Sequence, residues 1–577
     1  PLAIELAAAR IKLLSPEAML ARLDHRLALL TGGAHDSPIR QQTLHRTIAW
    51  SYELLDVTEQ RVFRRLSVFS GGGTLEAIAA VTADAEDHDA LAAVAALIDQ
   101  SLVYRWEGPG GESRFGMLET IREYATEQLA AHNETDAIQR RQADYCLALA
   151  EAAEARLRGE EQLVWLGRLE AEQANFRAVL TWCLATGEEG RGLRLAGALG
   201  PFWRRRGHLS LGYNWLARLL APNPSETGTT AGRAKALCEM GQLAYCRIDS
   251  AVALPALEES VGLYRQQDDA GQRGLTEALT WLGAARLSVD WNLPKARAAL
   301  DEAVAFARAV GDPWLLADSL TRLGMALLAH GNDAVASTPL QESLTLWQGT
   351  GDRWGEGWAL FYLGNIAELT GDLATAQARY EASLGSRRAV GDTSGIAAVL
   401  GYLGNLAHVA GDEVGARIYH QEELTTVRPT GNRVGVAYAL SRLGGVAAAQ
   451  GHTREAACHY RESETIFHEL GYGRGLAEWL ASLASTLGAA GDGPLAARLL
   501  GAAAAQLARL ETDFFPADRA DFNRTVVATE AALDPVAFAA AWDAGWAYPV
   551  EQAITVGLTA LERAGSAAQG SADPSRH

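Results

Sequence analysis

The chain has 577 residues, of which 48% are hydrophobic and 21% are charged, and its formal net charge at pH 7 is -19. This composition is typical of a folded protein, and apolar runs such as residues 91–98 are too short to span a bilayer, so no contact with a membrane is expected. The acidic balance opposes binding to nucleic-acid backbones, while five scattered cysteines without a Cys-x-x-Cys spacing argue against zinc or disulfides and favour a cytoplasmic location.

The first 40 residues are predicted to form two helices followed by a loop rich in Gly and Pro. Ser15, Pro16 and Glu17 supply a cap, a proline in the first turn and an early acid, which is a strong start for the second helix. Pro1 lies within the first helix and no initiator Met precedes it. We therefore expect the chain to be part of a longer polypeptide.

Residues 41–132 are predicted to form a separate small α+β domain. Four short helices come first, and Asp56 and Glu59 form a capping box at the start of the second of them. Two alternating segments, 101–106 and 113–118, flank a Gly-rich turn and predict a β-hairpin. Because a last helix follows at 119–132, the order of elements predicts a winged helix.

The charge of this domain argues against direct DNA binding. Residues 43–131 contain 7 basic and 14 acidic side chains, and the candidate recognition helix at 89–100 has no Lys or Arg. A DNA reader needs cations near phosphates and polar side chains at base edges. We therefore predict that the winged helix does not hold DNA.

Residues 133–230 are predicted to be a helical bridge with degenerate repeats, because apolar positions recur with helical period but without a fixed spacing between turns.

Residues 231–505 carry a 40-residue repeat. Its first marker is a Leu-Gly pair, found at Leu282-Gly283, Leu323-Gly324, Leu363-Gly364, Leu403-Gly404 and Leu443-Gly444. Glycines followed by Asp, Asn or other turn residues recur every 20 residues from Gly311 to Gly491. Two turns per repeat separate two stretches of helical length, which predicts an α-solenoid of helix hairpins. Gly364, Ala376, Tyr380 and Ser383 match the tetratricopeptide pattern.

The first helix of each such hairpin is expected to line the concave groove of the array. Counted from the Leu-Gly pair, the predicted ligand-binding positions are Trp358, Phe361, Asn365, Glu368, Asn405, His408 and Tyr438. Aromatic rings beside amides are suited to a peptide or a small polar ligand. The alternative is that Trp358 and Tyr438 pack between helices and the Asn side chains are only solvated. If the groove is the sensor, replacing Trp358 and Asn365 should remove the response to ligand and leave stability unchanged.

The C-terminal part is predicted to close the array. Residues 506–564 form a helical cap that covers the last apolar face, and residues 565–577 form a disordered tail. The sequence contains no phosphate loop, no His-Glu-x-x-His motif and no nucleophile elbow. We therefore predict no catalytic residue, no metal site, no cofactor held by this chain alone and no enzymatic activity.

Four segments together resemble the STAND class of signal-transduction ATPases. Residues 1–10 (PLAIELAAAR) look like the Gly-Leu-Pro-Leu-Ala segment that follows the nucleotide-binding fold, and residues 47–55, 63–69 and 114–125 resemble the winged helix of its bacterial branch. The resemblance covers the whole chain. It implies that residues 1–40 end the helical subdomain of a nucleotide-binding (NB-ARC-like) module, and that ATP or ADP binds a domain preceding Pro1.

The resemblance also assigns nucleotide-binding roles to residues of this chain. Pro1 would border the adenine, and Met117, Leu118 and Glu119 occupy the Met-His-Asp motif whose His reaches the ADP phosphate in the class. Leu118 cannot donate such a hydrogen bond, so another residue must hold ADP if ADP is sensed at all.

The sequence therefore predicts a mostly α protein, with a small winged-helix α+β module followed by an α-solenoid of tetratricopeptide-like hairpins. We interpret it as the regulatory and sensing part of a STAND transcriptional regulator. An inducer or protein partner would bind in the groove, the upstream nucleotide-binding domain would be a second partner, and activation could involve oligomerisation. The alternatives are a tetratricopeptide scaffold without nucleotide control and a winged-helix DNA-binding protein.

Overall fold

A computed structural model describes residues 44–570, apart from residues 83–89, 222–229, 248, 268, 289–291, 330, 332 and 515. The predicted segment 1–40, including Pro1, lies outside the described residues, as do residues 571–577. The described chain divides into two compact units. The first contains the residues up to Leu157 together with Glu161–Phe202 and Arg218–Gly232, and the second contains Arg158–Glu160, Trp203–Ala217 and the residues from Arg233 onward.

The first unit begins with five helices and three short strands. They are α1 Leu44–Glu53, α2 Val57–Leu66, β1 Gly73–Thr74, α3 Leu75–Thr82, α4 Ala90–Asp99, β2 Tyr104–Glu107, β3 Ser113–Gly116 and α5 Glu119–Ala131. The strands form an antiparallel sheet in the order β1-β3-β2, with Tyr104 opposite Gly116. Helices, a hairpin and a closing helix in this order confirm the predicted winged-helix arrangement.

Local sequence explains how this domain forms. Glu59 N donates to Asp56 Oδ1 at 2.8 Å and Asp56 N donates to Glu59 Oε2 at 2.9 Å, so the capping box at the start of α2 is present. Phe63, Ile78 and Leu97 are fully buried and bring α2, α3 and α4 together around one core.

Five helices follow: α6 Thr135–Arg156, α7 Gln162–Ala171, α8 Gln173–Thr186, α9 Glu189–Arg205 and α10 Leu209–Leu220. Helix α6 packs on α3 and α5, and its Ile138 belongs to the winged-helix core. The predicted domain boundary at 132/133 therefore falls inside the first unit.

The second unit contains the repeats. Its helices are α11 Thr230–Cys246, α12 Ser250–Arg265, α13 Gln272–Ser288, α14 Leu293–Val310, α15 Pro313–Ala329, α16 Asp333–Thr350, α17 Arg353–Leu369, α18 Leu373–Val390, α19 Thr393–Val409, α20 Glu413–Val427, α21 Arg433–Ala449, α22 Thr453–Glu469, α23 Gly473–Ala489 and α24 Gly493–Arg509. From α15 onward, each first helix of a hairpin starts 40 residues after the previous one, as do the second helices. The predicted solenoid of hairpins is confirmed.

The repeated glycines end helices and the acids after them start new ones. Gly351 and Gly391 have φ values of 69° and 66°, in the left-handed region where glycine is favoured. Asp352 then accepts hydrogen bonds from Trp354 N and Gly355 N, and Asp392 accepts one from Gly395 N.

Glycine in the Leu-Gly pair allows the two helices of a hairpin to approach closely. A Cβ atom on Gly364 would lie 2.6 Å from the ring of Tyr380, which is buried against it. Ser383 fixes the same approach by donating to Gly357 O at 2.7 Å. In the next hairpin the position of Tyr380 is taken by His420, which is buried against Gly404.

Three helices complete the described part of the chain: α25 Pro516–Ala532, α26 Pro535–Trp546 and α27 Val550–Gly570. Helix α24 continues through the predicted boundary at 505/506, while α26 and α27 pack on the last hairpin as expected of a cap. Helix α25 corrects the prediction, because it contacts α17 as well as α23 and α24. Helix α27 also extends six residues past the predicted end at 564.

Within the described residues, no helix is long and apolar enough to cross a membrane. No group of three or more His, Cys, Asp or Glu side chains in that part of the chain is placed to hold a metal ion.

Candidate functional site

A cavity of about 840 Å³ lies on the inner face of the repeats. The first helices of successive hairpins, from α13 to α23, pack against one another and form this face. Helix α25 runs over it from α17 to α23, and the cavity lies between α25 and helices α19, α21 and α23. We call this cavity the inner chamber.

Aromatic rings form much of the chamber wall. They are Tyr438, Phe467, Trp479, Phe514 and Phe522. The centroids of Phe514 and Phe522 are 4.8 Å apart, and those of Tyr438 and Phe467 are 5.1 Å apart with the rings nearly perpendicular. Several Ser and Thr hydroxyls lie among these rings. A largely apolar wall with few polar groups is typical of a small-molecule site.

Three carboxyl groups line the chamber, and one of them, Asp521, pairs with Arg524. Glu478 on α23 accepts a hydrogen bond from the hydroxyl of Tyr438, while its other oxygen, Oε1, is buried without a hydrogen-bond partner. Asp518 comes from α25. Burial raises the pKa of Glu478 to about 8, and repulsion from Asp518 acts in the same direction. Burial also raises the pKa of Asp518, so the pair retains a proton near neutral pH.

One cation of the chamber wall, Arg442, already has a partner. Arg442 Nη1 on α21 donates to Glu423 Oε1 at 2.6 Å, and the Glu423 side chain is buried. The other oxygen of Glu423 lies 3.2 Å from His420 Nδ1, and burial lowers the pKa of His420. Arg442 therefore neutralises Glu423, while its charge also lowers the pKa of Glu478 and Asp518.

The structure brings only some of the predicted groove residues to the chamber. Asn405, His408 and Tyr438 line it, whereas the four predicted residues of α17 are not part of its wall. His408 is exposed, and its Nδ1 lies 2.9 Å from Glu413 Oε2.

Two predicted residues of α17 serve packing, which corrects their expected place on an open groove. The Arg387 guanidinium lies 3.9 Å from the ring centroid of Trp358, and Phe361 is buried with its ring centroid 4.9 Å from that of Tyr402. Because the Trp358 ring supports a buried cation, replacing it should lower stability, contrary to the expectation from sequence.

The two polar residues of α17 are held within their own hairpin. The Tyr380 hydroxyl donates to Asn365 Oδ1 at 2.8 Å and to Glu368 Oε2 at 2.7 Å. Burial raises the pKa of Glu368, against the effect of the hydrogen bond from Tyr380. These contacts account for both side chains without a ligand.

Sequence reasoning missed the two chamber acids. Glu478 occupies the repeat position of Trp358 and Tyr438, so the 40-residue period could have found it. Asp518 could not be found in this way, because α25 lies outside the repeats.

The residues that the STAND resemblance assigned to nucleotide do not fit a phosphate. Met117 is buried, Leu118 is apolar and 60% exposed, and the carboxylate of Glu119 pairs with Arg122 at 2.5 Å. None of these side chains offers a hydrogen-bond donor to an anion.

The hairpin of the first unit is fixed by a buried ion pair. Arg114 Nη1 on β3 donates to Glu172 Oε1 at 2.6 Å, and both side chains are about 5% exposed or less. Arg114 Nη2 donates to Gly72 O at 3.0 Å, which Asn175 Nδ2 also reaches at 2.9 Å. Helix α7 packs against the turn at Pro109–Gly111. The hairpin is therefore packed against helices of its own unit.

The geometry of this domain agrees with a family match. Residues 55–130 match the family model described as a winged helix-turn-helix domain. These residues form a winged helix-turn-helix domain. Its wing is the hairpin β2–β3, and its candidate recognition helix is α4.

The chain is homologous to transcriptional regulators of this type. A Mycobacterium tuberculosis protein that carries the name of an HTH-type transcriptional regulator is 35% identical over 340 residues, which cover 58% of this chain and 38% of that protein. An uncharacterized Mycobacterium bovis protein is 40% identical over 141 residues, covering 24% of this chain and 36% of that protein. The chain thus spans less than half the length of these relatives.

Solved structures with helical repeats are also similar. A STAND protein with a tetratricopeptide repeat sensor from Pyrococcus horikoshii has a TM-score of 0.48 at 18% identity, covering 85% of this chain and 69% of that chain. A Rap protein complexed with Competence and Sporulation Factor has a TM-score of 0.42 at 16% identity, covering 60% of this chain and 99% of that chain.

Most cations of the winged helix are used to hold it together. Arg64 and Arg65 both bind Glu134, at 2.7 and 2.9 Å, and Arg114 and Arg122 pair with Glu172 and Glu119. These are four of the seven arginines between residues 43 and 131. The exposed face of α4 presents Leu91, Ala92 and Ala95, none of which carries a positive charge.

Proposed function

We propose that this chain is the regulatory and sensing part of a STAND-class transcriptional regulator, and that its repeats bind an inducer in the inner chamber. The observation that carries the proposal is the chamber itself: about 840 Å³, lined by five aromatic residues and covered by α25. Cavities of this size and composition are suited to small molecules.

The rest of the regulator is inferred from the resemblance and the relatives. The winged helix and the homology to an HTH-type regulator support a regulatory role. ATP or ADP would bind a separate nucleotide-binding domain, since the side chains of Met117, Leu118 and Glu119 offer no hydrogen-bond donor to a phosphate. We propose that this domain is the second partner, that oligomerisation accompanies activation, and that the present chain performs no catalysis.

A ligand in the chamber would touch both α25 and the first helices of the hairpins. Binding would therefore favour the arrangement in which α25 covers the inner face. The shift in this equilibrium equals the difference between the ligand's binding free energies for the covered and the open arrangement. In this proposal, the equilibrium between the two arrangements is the signal.

We expect a chamber ligand to be found by thermal-shift screening of the chain against a library of small metabolites. A ligand at about 100 times its Kd stabilises the folded state by about 2.7 kcal/mol, which is measurable as a rise in melting temperature. Replacing Ser485, an exposed residue of the chamber wall, with Trp should fill the space and remove the shift.

The control is Thr465→Trp, an equally large change at an exposed position of α22 outside the chamber wall. It should keep the response of the unchanged chain. If every hit stabilises the Ser485→Trp variant as well as the unchanged chain, the inner chamber is not the sensing site.

The winged helix should not bind DNA at physiological salt. Four of its seven arginines are in ion pairs, its wing is packed against α7 and α8, and α4 brings no cation, so few counterions would be released. Fluorescence anisotropy with a labelled duplex should show no complex for the whole chain. A complex whose affinity falls steeply with added salt would favour the alternative of a DNA-binding protein.

A further inference from the structure

We propose that the inner chamber selects a small organic cation, a protonated amine held between Glu478 and Asp518 with its carbon skeleton against the aromatic wall. This inference rests on the proposed function, because it names the class of ligand that the chamber takes.

The placement of the two carboxyl groups carries the argument. Oε1 of Glu478 is buried in the chamber wall without a hydrogen-bond donor, although its Oε2 is satisfied by Tyr438. A buried polar atom without a partner is costly, and a ligand group that pairs with the carboxyl on binding recovers that cost. An ammonium group supplies up to three N–H donors and a positive charge, which suit an ionised pair of carboxyl groups.

Two of the protein's own cations in the chamber wall pair with other acids. Arg442 pairs with Glu423, whose side chain is buried, and Arg524 pairs with Asp521 one turn before it on α25. Arg474 donates to Thr512 Oγ1 at 2.8 Å. Among the acids of the wall, Asp521 is paired, so Glu478 and Asp518 are the two that face a ligand, and the charges of Arg442 and Arg474 lower the pKa of both.

The aromatic wall favours the same class of ligand. Phe467, Phe514 and Phe522 present rings to the chamber together with Tyr438. The face of an aromatic ring attracts a cation, and this attraction strengthens when the cation is removed from water. An anion would be repelled by the negative faces of the same rings.

The cover by α25 selects a small molecule over a peptide. A segment lying along the inner face would have to pass the space that α25 occupies between α17 and α23. A compact ligand fits beneath the helix without displacing it, since small-molecule sites commonly have volumes of about 300–1,000 Å³.

The pH dependence follows from the protonated state of the acid pair. Glu478 is faced by Asp518 from α25, by Arg442 and Tyr438 from α21, by Arg474 and Tyr472 at the start of α23, and by His408 across the chamber. An amine binds the ionised pair, so a proton leaves Glu478 on binding below about pH 8. Affinity should therefore increase from pH 6 to about pH 8.

The experiment compares benzylamine with benzyl alcohol, which has the same shape without the charge. Isothermal titration calorimetry with the whole chain should show benzylamine binding at least about tenfold more tightly, as expected for charge-assisted hydrogen bonds. Glu478→Gln and Asp518→Asn should each remove this preference. Calorimetry in two buffers of different ionisation enthalpy should show proton release at pH 7 for benzylamine alone.

Glu462→Gln is the matched control, because Glu462 is an exposed acid on α22 that pairs with Arg428 outside the chamber. It should leave the preference unchanged. If Glu478→Gln fails to fold by circular dichroism, Asp518→Asn on the covering helix provides the same test.

Two outcomes would overturn the inference. The first is that benzylamine and benzyl alcohol bind with equal affinity and that Ser485→Trp prevents the binding of both. The chamber would then still be the binding site, but it would have no preference for cations. The second is tighter binding of the blocked tripeptide Ala-Lys-Ala than of benzylamine, which would make a protein side chain the occupant. Absence of any binding sensitive to Ser485→Trp would instead count against the proposed function.

Discussion

Replacing Arg387 with Ala should lower the free energy of unfolding of the repeat unit by about 3–5 kcal/mol, the usual cost of breaking a buried ion pair. The Arg387 side chain is fully buried, and its Nη1 donates to Asp392 Oδ2 at 2.7 Å. Its guanidinium also lies over the ring of Trp358 and its Nε donates to Ser383 Oγ at 3.2 Å. Removing it leaves the Asp392 carboxylate buried without its cation. Urea denaturation followed by far-UV circular dichroism measures the loss.

The neighbouring residue provides the control. Arg388 is exposed and pairs with Glu422 on the surface, so Arg388→Ala should cost about 0–1 kcal/mol. Arg387→Lys should not restore stability, because an ammonium group lacks the planar shape that stacks on Trp358 while binding Asp392. Equal losses for Arg387→Ala and Arg388→Ala would contradict the assignment of Arg387 as a structural cation.

Replacing Arg114 with Ala should destabilise the first unit by a similar amount, about 3–5 kcal/mol, because Glu172 would keep a buried charge without its cation. The wing would also lose the bond from Arg114 to Gly72 O. We expect an earlier unfolding transition of this unit and rapid amide hydrogen exchange in β2 and β3.

The control for this prediction lies on the same hairpin. Arg105 on β2 is exposed, so Arg105→Ala should change the free energy of unfolding by less than about 0.5 kcal/mol. If Arg114→Ala has no larger effect than Arg105→Ala, the buried pair does not hold the wing in place.

The repeats could be predicted from the sequence in detail because their determinants are local. Gly391 ends one helix through its left-handed backbone and Asp392 caps the next, and both roles follow from residue type alone. The Leu-Gly pair is equally direct, since Gly364 must admit the Tyr380 ring. Because the period is fixed, the same determinants recur in each repeat. The register of every hairpin could therefore be predicted from them.

The chamber could not be predicted because its cover depends on tertiary packing. In α25 the apolar residues Phe522 and Val526 stand among polar and charged residues. The sequence of α25 therefore shows no apolar stripe that would predict whether this helix packs on the inner face or on the last hairpin. For the same reason Trp358 looked like a ligand residue. Its cation, Arg387, comes from the following helix and becomes its neighbour only in the folded hairpin.

Helix α25 also changes how the array can come apart. In a solenoid each hairpin contacts only its neighbours, and unfolding can proceed hairpin by hairpin from an end. Here α25 contacts both α17 and α23, which are three hairpins apart, and so closes a loop around the hairpins between them. Those hairpins cannot separate without first releasing α25. The hairpins around the chamber are therefore expected to unfold as one cooperative element. A ligand that binds in the chamber stabilises all of these hairpins together.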